Sequence, residues 1–447
     1  MEDTLIYNYS GTSSLLDKGN LEELFLAQYS EIQKNTHVPC FFWGNVGQPF
    51  ILARCLISLS NIVRSSFSLS PFQMALLKDP IVTAGNERLR FEGFSHCAGV
   101  YARIDVMPDG LDGEFPENGT TNVDFNQPLI NALGSIRPNE KIMLSVGKKE
   151  VGLYKNEERI IERKVPLPAK WIKGLGTVQV YLSESEKRYR FNKIQTQQLF
   201  RAMPKGVIKT DYYLTVRGNK PVFSPVKSSD SVCIGGLHRL RLLEPLLPYI
   251  DSMQVFSHVR MQSTTWQLYM GNIRLSFSLS RESWRGFSGE GALLESLLSD
   301  VSDEWIDALD KYAYVNQSVN PSRLALENKI SLDKTENITA KLASMGLLGY
   351  DLDDREFFYR RLPFKLSRII GLNPRLKNAE KLIEDGKVEI LNNNKERTEA
   401  RVEGTGVHHT VILEEERERC TCDWFTKYQG ERGPCKHVLA VKKLITA

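Results

Sequence analysis

Near its C-terminal end the chain reads Arg419-Cys420-Thr421-Cys422-Asp423-Trp424 and then Pro434-Cys435-Lys436-His437-Val438, with twelve residues between Cys422 and Cys435. Three thiols and an imidazole fall within 18 positions, in two close pairs. Zinc takes four such ligands in a tetrahedron, and a chain that supplies them must fold around the ion. If the segment before Cys420 runs as a strand, its period of two turns Cys420 and Cys422 to the same side. Pro434 stands where a helix can start, so Cys435 and His437 project from the first turn of a helix, and the Cys435 thiolate gains from that helix's positive end. Val438, Leu439, Val441 and Leu444 give the helix an apolar face to lay on the strands. Four protein ligands leave no coordination position for substrate or water, so the site reads as structural. The rival reading is of unrelated cysteines beside a core histidine. It leaves the paired spacing unexplained. His408 and His409 are neighbours on the segment 407–413; adjacent strand positions face opposite ways, so at most one of them approaches the metal.

The seven cysteines are too few for a disulfide-stapled scaffold, and an odd number cannot pair completely. The first residues, Met1-Glu2-Asp3-Thr4-Leu5-Ile6, show no basic or long apolar region of a signal peptide. The most apolar stretch, 49–63, is too short to span a bilayer and contains Arg54. These features predict a cytoplasmic chain, and in a reducing compartment clustered cysteines bind metal more often than they pair. A composition of 41% hydrophobic and 25% charged residues excludes disordered, collagen-like and membrane-spanning classes. The net charge of +4 does not mark a nucleic-acid binder.

The length of 447 residues predicts two to four domains. The sequence divides into a mainly helical segment at 1–84, an α+β body at 85–290, a helical segment at 291–370 and the cysteine-rich domain at 371–447. Leu21, Leu24 and Phe25 sit at helical spacing, and Phe50 to Val63 repeats the pattern. From residue 88 the chain shifts to short alternating runs such as Arg88-Leu89-Arg90-Phe91-Glu92, which read as strands, with a weak internal repeat. Between 291 and 370, amphipathic helices include one with Asn320 as N-cap and Pro321 behind it, and one ending at Gly346. A hairpin with its turn at Asp353-Asp354 follows. Helices followed by a hairpin give the order of a winged helix, whose last helix and wing would carry Lys334, Lys341, Arg360 and Arg361 outward to duplex DNA. The competing reading is a spacer or protein-binding module, because Asp351, Asp353 and Asp354 at the wing tip would repel phosphate.

At Cys420, Cys422, Cys435 and His437 the sequence resembles the SWIM zinc finger, with its C-x-C-x(n)-C-x-H pattern. Residues 376–386 resemble its leading helix, 388–391 and 399–404 its first strands, and 435–440 its final helix, in a ββα-type arrangement. The resemblance implies those four residues as ligands of one structural Zn2+. The histidine pair at 408–409 departs from the aromatic that many members place there. Three further blocks, beginning at Arg90, Gly119 and Lys164, resemble bacterial SWIM zinc finger proteins of this length. Such proteins are similar to members of operons encoding a MoxR-type AAA+ ATPase and a von Willebrand factor A protein, which implies those partners. SWIM domains as a class are associated with DNA or protein binding.

The body shows no phosphate loop, dinucleotide fingerprint, H-E-x-x-H or G-x-S-x-G. His96 and Cys97, read as adjacent strand residues, point apart and make a poor base–nucleophile pair. Cys40, Cys55 and Cys233 sit among apolar residues and read as core. Asp109, Asp112 and Glu114 lack the spacing of a calcium loop and read as solvated. Lys164, Lys170 and Lys173 around Trp171 could offer a stacking surface to single-stranded bases, against the plainer reading of an amphipathic edge. The expectation is a non-catalytic zinc-binding protein that binds DNA or a protein partner. The alternatives are an adaptor of the AAA+ and von Willebrand factor A proteins without DNA contact, and an enzyme hidden in the body.

Overall fold

The computed structural model describes residues 14–17, 22–25, 40–65, 80–155, 158–164, 167, 169–282, 286–287, 291, 293–294, 297, 302–360, 362, 371–394, 396–415, 417–430 and 432–446. The chain separates into two compact units, 1–39 and 40–447. In the first, Ser14–Asp17 pairs antiparallel with Glu22–Phe25, Ser14 opposite Phe25. Leu24 and Phe25 therefore lie in a strand and not in the expected helix; Leu21 falls outside the described residues. Three apolar residues over five positions are too few to separate a period of 3.6 from a period of 2.

The second unit mixes helix and strand in several separate sheets. Helix α1 (Pro49–Arg64) forms where the apolar periodicity places it, with proline in its first turn and Arg64 in its last. Its neighbour Cys40–Val46 is a strand, a second departure from the expected helix. It pairs with Met143–Gly147 and Leu111–Glu114 in a five-stranded sheet. Pairing with residues a hundred positions away decides its state.

An antiparallel eight-stranded sheet is the centre of this unit. Its strands are β1 (Ile81–Gly85), β2 (Arg88–Phe94), β3 (Val100–Val106), β4 (Gly119–Asn122), β5 (Ser185–Asn192), β6 (Ser252–His258), β7 (Ser263–Met270) and β8 (Ile273–Ser280), in the spatial order β5-β6-β7-β8-β3-β2-β1-β4. Pairing puts Leu275 opposite Ile104 and Leu268 opposite Leu275, so one face is a continuous apolar surface. Helix α1 covers it closely: a Cβ added at Gly93 would lie 2.7 Å from Val63 Cγ2, so the strand admits the helix only because residue 93 has no side chain.

The opposite face is polar and is also buried. Register lines up Arg90 with Asp105, Asp105 with Arg274, and Glu92 with Arg103. Helices α2 (Gln127–Ser135), α3 (Ala169–Ser183) and α4 (Lys193–Ala202) lead to the segment that covers this face, whose helices are α5 (Asp303–Asn316), α6 (Pro321–Asn328) and α7 (Leu332–Ser344). Strands β9 (Ser318–Val319), β10 (Leu348–Asp351) and β11 (Glu356–Tyr359) pair in the order β9-β11-β10. Asn320 caps α6 by accepting from the Arg323 N–H at 3.1 Å, and Gly346 takes φ +80° just beyond α7. The β10–β11 turn inserts acids into the basic sheet. Asp351 accepts from Arg274 and Arg103, and Asp353 from Arg274 at 2.6 Å. Asp105 accepts from Arg103 at 3.0 Å and Arg274 at 3.1 Å. Arg360 pairs with Glu92 at 2.7 Å with both side chains at 0% exposure.

This arrangement corrects the outward basic surface expected here. Arg360 points into the sheet, and Lys341 is buried at 4% exposure. Helix α7 buries Ile338, Thr339, Ala340 and Leu342 as well, and packs on α3 and β10. Lys334 lies over the Trp305 ring at 4.8 Å. Arg361 falls outside the described residues. The aspartates that would repel phosphate instead neutralise the sheet's arginines.

The last part contains α8 (Pro374–Glu384), an antiparallel sheet of β12 (Val388–Asn393), β13 (Arg397–Glu403), β14 (His408–Glu414) and β15 (Arg417–Cys420), then α9 (Asp423–Tyr428) and α10 (Lys436–Thr446). Its own core joins Leu376, Ala400, Val411, Val438 and Val441 to Ile172 of α3, Leu293, Leu294 and Leu297. Among the described residues no helix is long and apolar enough to cross a membrane.

Candidate metal centre

The four sequence-predicted ligands meet. One ligand atom from each of Cys420, Cys422, Cys435 and His437 lies within 4.8 Å of the others, and all four residues are buried. Cys420 ends β15, while Cys422 is not a strand residue: it is the N-cap of α9, its sulfur accepting from the Phe425 N–H at 3.4 Å. Cys435 plays the same part at the start of α10, accepting from the Val438 N–H at 3.5 Å. Two sulfurs thus sit on helix N-terminal amides, which favour the thiolate.

His437 turns Nδ1 toward the sulfurs, 3.7 Å from Cys420 Sγ and 4.0 Å from Cys435 Sγ. A tetrahedron with Zn–S of about 2.3 Å and Zn–N of about 2.0 Å has edges of about 3.5–3.8 Å, so the donors stand at nearly coordinating separations. The thiols also compete for charge: the Cys420 side chain hydrogen-bonds Cys422, holding the Cys422 thiol below its usual range and pushing Cys420 up. A divalent cation relieves this competition by stabilising all the thiolates together. Three sulfurs and a nitrogen, dry and closed, suit one zinc ion held for structure.

Of the two flanking histidines, His409 is the one that approaches. Its ring lies 4.4 Å from that of His437, whereas His408 is exposed. Burial, first, and the neighbouring His437 lower its imidazole pKa. Sequence reasoning narrowed this to one of two; strand register, with His409 opposite Val402, settles which.

The other candidates disperse. His96 and Cys97 lie in the turn between β2 and β3, not on a strand, and the Cys97 sulfur contacts Ser95 Oγ at 3.4 Å. Cys55, Cys97 and Cys233 are buried and Cys40 is half-buried. Trp171 is core, 1% exposed and 5.8 Å from the Phe94 ring, so it offers no stacking surface. Lys164 is exposed, and Lys173 is half-buried with its ammonium pKa lowered by burial and by Arg375.

Residues 409–444 match the family model of the SWIM zinc finger. No curated protein matches the chain. Solved structures with partial likeness include the proliferating cellular nuclear antigen of Entamoeba histolytica, at 10% identity and TM-score 0.37, covering 54% of this chain and 98% of that one. The PCNA2–PCNA3 complex of Sulfolobus tokodaii gives 9% identity and TM-score 0.40, with 54% and 99% covered. The DnaN sliding clamp of Pseudomonas aeruginosa gives 13% identity and TM-score 0.35, with 54% and 64% covered.

Proposed function

We propose that the chain is a cytoplasmic, non-catalytic interaction protein whose zinc-ordered finger binds a protein partner. The observation that carries this reading is the closed four-ligand site, which leaves no coordination position for chemistry. Charge favours a protein over DNA as the finger's partner. Residues 371–447 hold fourteen Lys and Arg against thirteen Asp and Glu. On the sheet surface these pair with one another, as in Arg401–Glu389 at 3.7 Å and Arg397–Glu399 at 3.2 Å. A surface already neutralised releases few counterions from DNA. The partners that the sequence resemblance implies are a MoxR-type AAA+ ATPase and a von Willebrand factor A protein, with this chain as adaptor.

The second reading, DNA binding by a winged helix, is favoured by the element order α5-β9-α6-α7-β10-β11. Burial of α7 and Arg360 weighs against it, because a helix enclosed by its own chain cannot enter a groove.

The test is co-purification of the full zinc-loaded chain with a MoxR-type AAA+ ATPase or a von Willebrand factor A protein of the same organism, compared with Cys435→Ser. The expected result is a complex that the substitution abolishes. No complex with either protein, together with DNA binding lost in Cys435→Ser, would overturn the reading.

A further inference from the structure

A different part of the chain carries the excess charge. Residues 185–241 contain twelve Lys and Arg against three Asp and Glu, a net +9 in a protein whose total is +4. The other residues together are therefore at −5. Only one of the twelve, Arg239, is fully buried, donating to the carbonyls of Gly99 and Gly235 at 2.6 Å each.

The segment is one contiguous layer on the free edge of the eight-stranded sheet. Strand β5 is the edge, paired only with β6. Helix α4 follows it and packs on the strand Lys220–Ser224 of a small three-stranded sheet. The Tyr189 hydroxyl of β5 donates to the Asp230 carbonyl at 2.6 Å. Arg241 donates to the Pro204 carbonyl at 3.2 Å, and the Ile208 N–H donates to His238 at 3.2 Å. These bonds hold β5, α4 and the loop after it in a fixed relation.

Exposed cations line this layer: Lys187 and Arg190 on β5, Lys193 and Arg201 on α4, Lys205 and Lys209 on the loop. Among the described residues these six make no ion pair, in contrast to the paired cations of the finger. Arg201, Lys205 and Arg241 converge on an open cleft of about 540 Å³ whose one acid, Glu244, pairs with Arg241. Arg217 and Lys220 extend the charge along the adjoining hairpin. Like charges held together without counter-ions destabilise a fold unless an anion covers them. Exposed Ile194 and Val207 stand among them, which an alternation of sugar and phosphate complements better than an isolated anion.

We propose that this layer, and neither the finger nor the helical segment, binds the phosphodiester backbone of nucleic acid without reading sequence. The inference is independent of the finger's partner.

Anisotropy titrations of the full zinc-loaded chain against labelled 20-mer duplex DNA, single-stranded DNA and RNA test it, and the arms identify the preferred polymer. Five phosphate contacts on a duplex predict an affinity loss of about 500-fold between 50 and 200 mM salt. The triple variant Arg201→Glu, Lys205→Glu, Lys209→Glu is expected to bind weakly, with that salt loss cut to about 10-fold. The triple alanine variant serves if reversal disturbs the circular dichroism spectrum. Finger variants Arg401→Glu and Arg419→Glu should bind as wild type does. Absence of binding to all three polymers overturns the proposal, as does retention of binding in both triple variants. Loss in the finger variants alone would move nucleic acid to the finger. Binding of polyglutamate or phosphatidylserine vesicles as tight as that of nucleic acid would assign the face to another anion and equally overturn it.

Discussion

Asp351→Asn should be among the most damaging single-atom-scale changes in the chain, even though it lies far from the metal. The carboxylate is 2% exposed and accepts from Arg274 and, at 3.4 Å, from Arg103, with Arg88 at 3.5 Å. Burial alone would push its pKa up; Arg103, Arg274 and Arg90 outweigh burial and hold it well below the usual carboxylate range. Removing the charge leaves buried guanidinium groups short of one counter-ion, which costs about 3–5 kcal/mol. Asp354 provides the contrast. It also meets Arg88, but it is 41% exposed, so Asp354→Asn should cost under about 1 kcal/mol. Urea unfolding of both variants, followed by circular dichroism, measures the two costs. Because the Asp351 pKa is lowered in the folded state, its contribution is present in full above about pH 4 and is lost as the pH falls through the folded value. The gap between wild type and Asp351→Asn should therefore be constant at neutral pH and close in strong acid. A cost for Asp351→Asn no larger than that for Asp354→Asn would refute the idea that the buried aspartate locks the β10–β11 turn to the sheet.

Three other outcomes follow from the same structure. Elemental analysis should find about one zinc per chain, absent in Cys435→Ser, and chelation should expose 371–447 to hydrogen exchange because metal binding there is folding energy. Leu294→Ala, at a residue 2% exposed in the finger's core, should cost about 2–5 kcal/mol and loosen the finger, read as faster proteolysis within 371–447. His409→Ala should keep the zinc stoichiometry while weakening affinity by about 10-fold in a chelator competition, because it removes the ring packed against His437.

The metal site was legible because its ligands are close in sequence and their chemistry admits few alternatives. Even there, period-two reasoning placed Cys422 on a strand, whereas it caps a helix; either geometry turns the sulfur inward. The eight-stranded sheet was only half legible. Arg88-Leu89-Arg90-Phe91-Glu92 alternates as a strand with one wet face should, yet Arg90 and Glu92 are 1% and 0% exposed. Arg90 pairs with Asp105 of the next strand, but the partner of Glu92, Arg360, and the Asp351 that meets neighbouring Arg88 come some 260 positions later, and no local window joins them. The same pairing explains the misplaced DNA surface. The helix opened by Asn320, the helix closed before Gly346 and the hairpin turning at Asp353-Asp354 lie where their cap and turn residues put them, but which side faces solvent is a tertiary fact.

The location of unpaired charge follows from this internal neutralisation. Arg88, Arg90, Arg103 and Arg274 are matched by Asp105, Asp351, Asp353 and Asp354, a balanced set of four and four that leaves the eight-stranded sheet's polar face neutral. The finger is balanced within one charge. Overall net charge sets the segment 185–241 at +9 against −5 in the rest of the chain, so the figure of +4 conceals a face with cations to spare. That face is built on an edge strand that already bears a register shift between Lys187 and Tyr189 and a row of charged side chains, both of which block pairing with another strand. An edge closed to strand addition but open to anions is better suited to a phosphate backbone than to a peptide. On the reading proposed above, a protein partner is left to the finger, whose own charges nearly cancel.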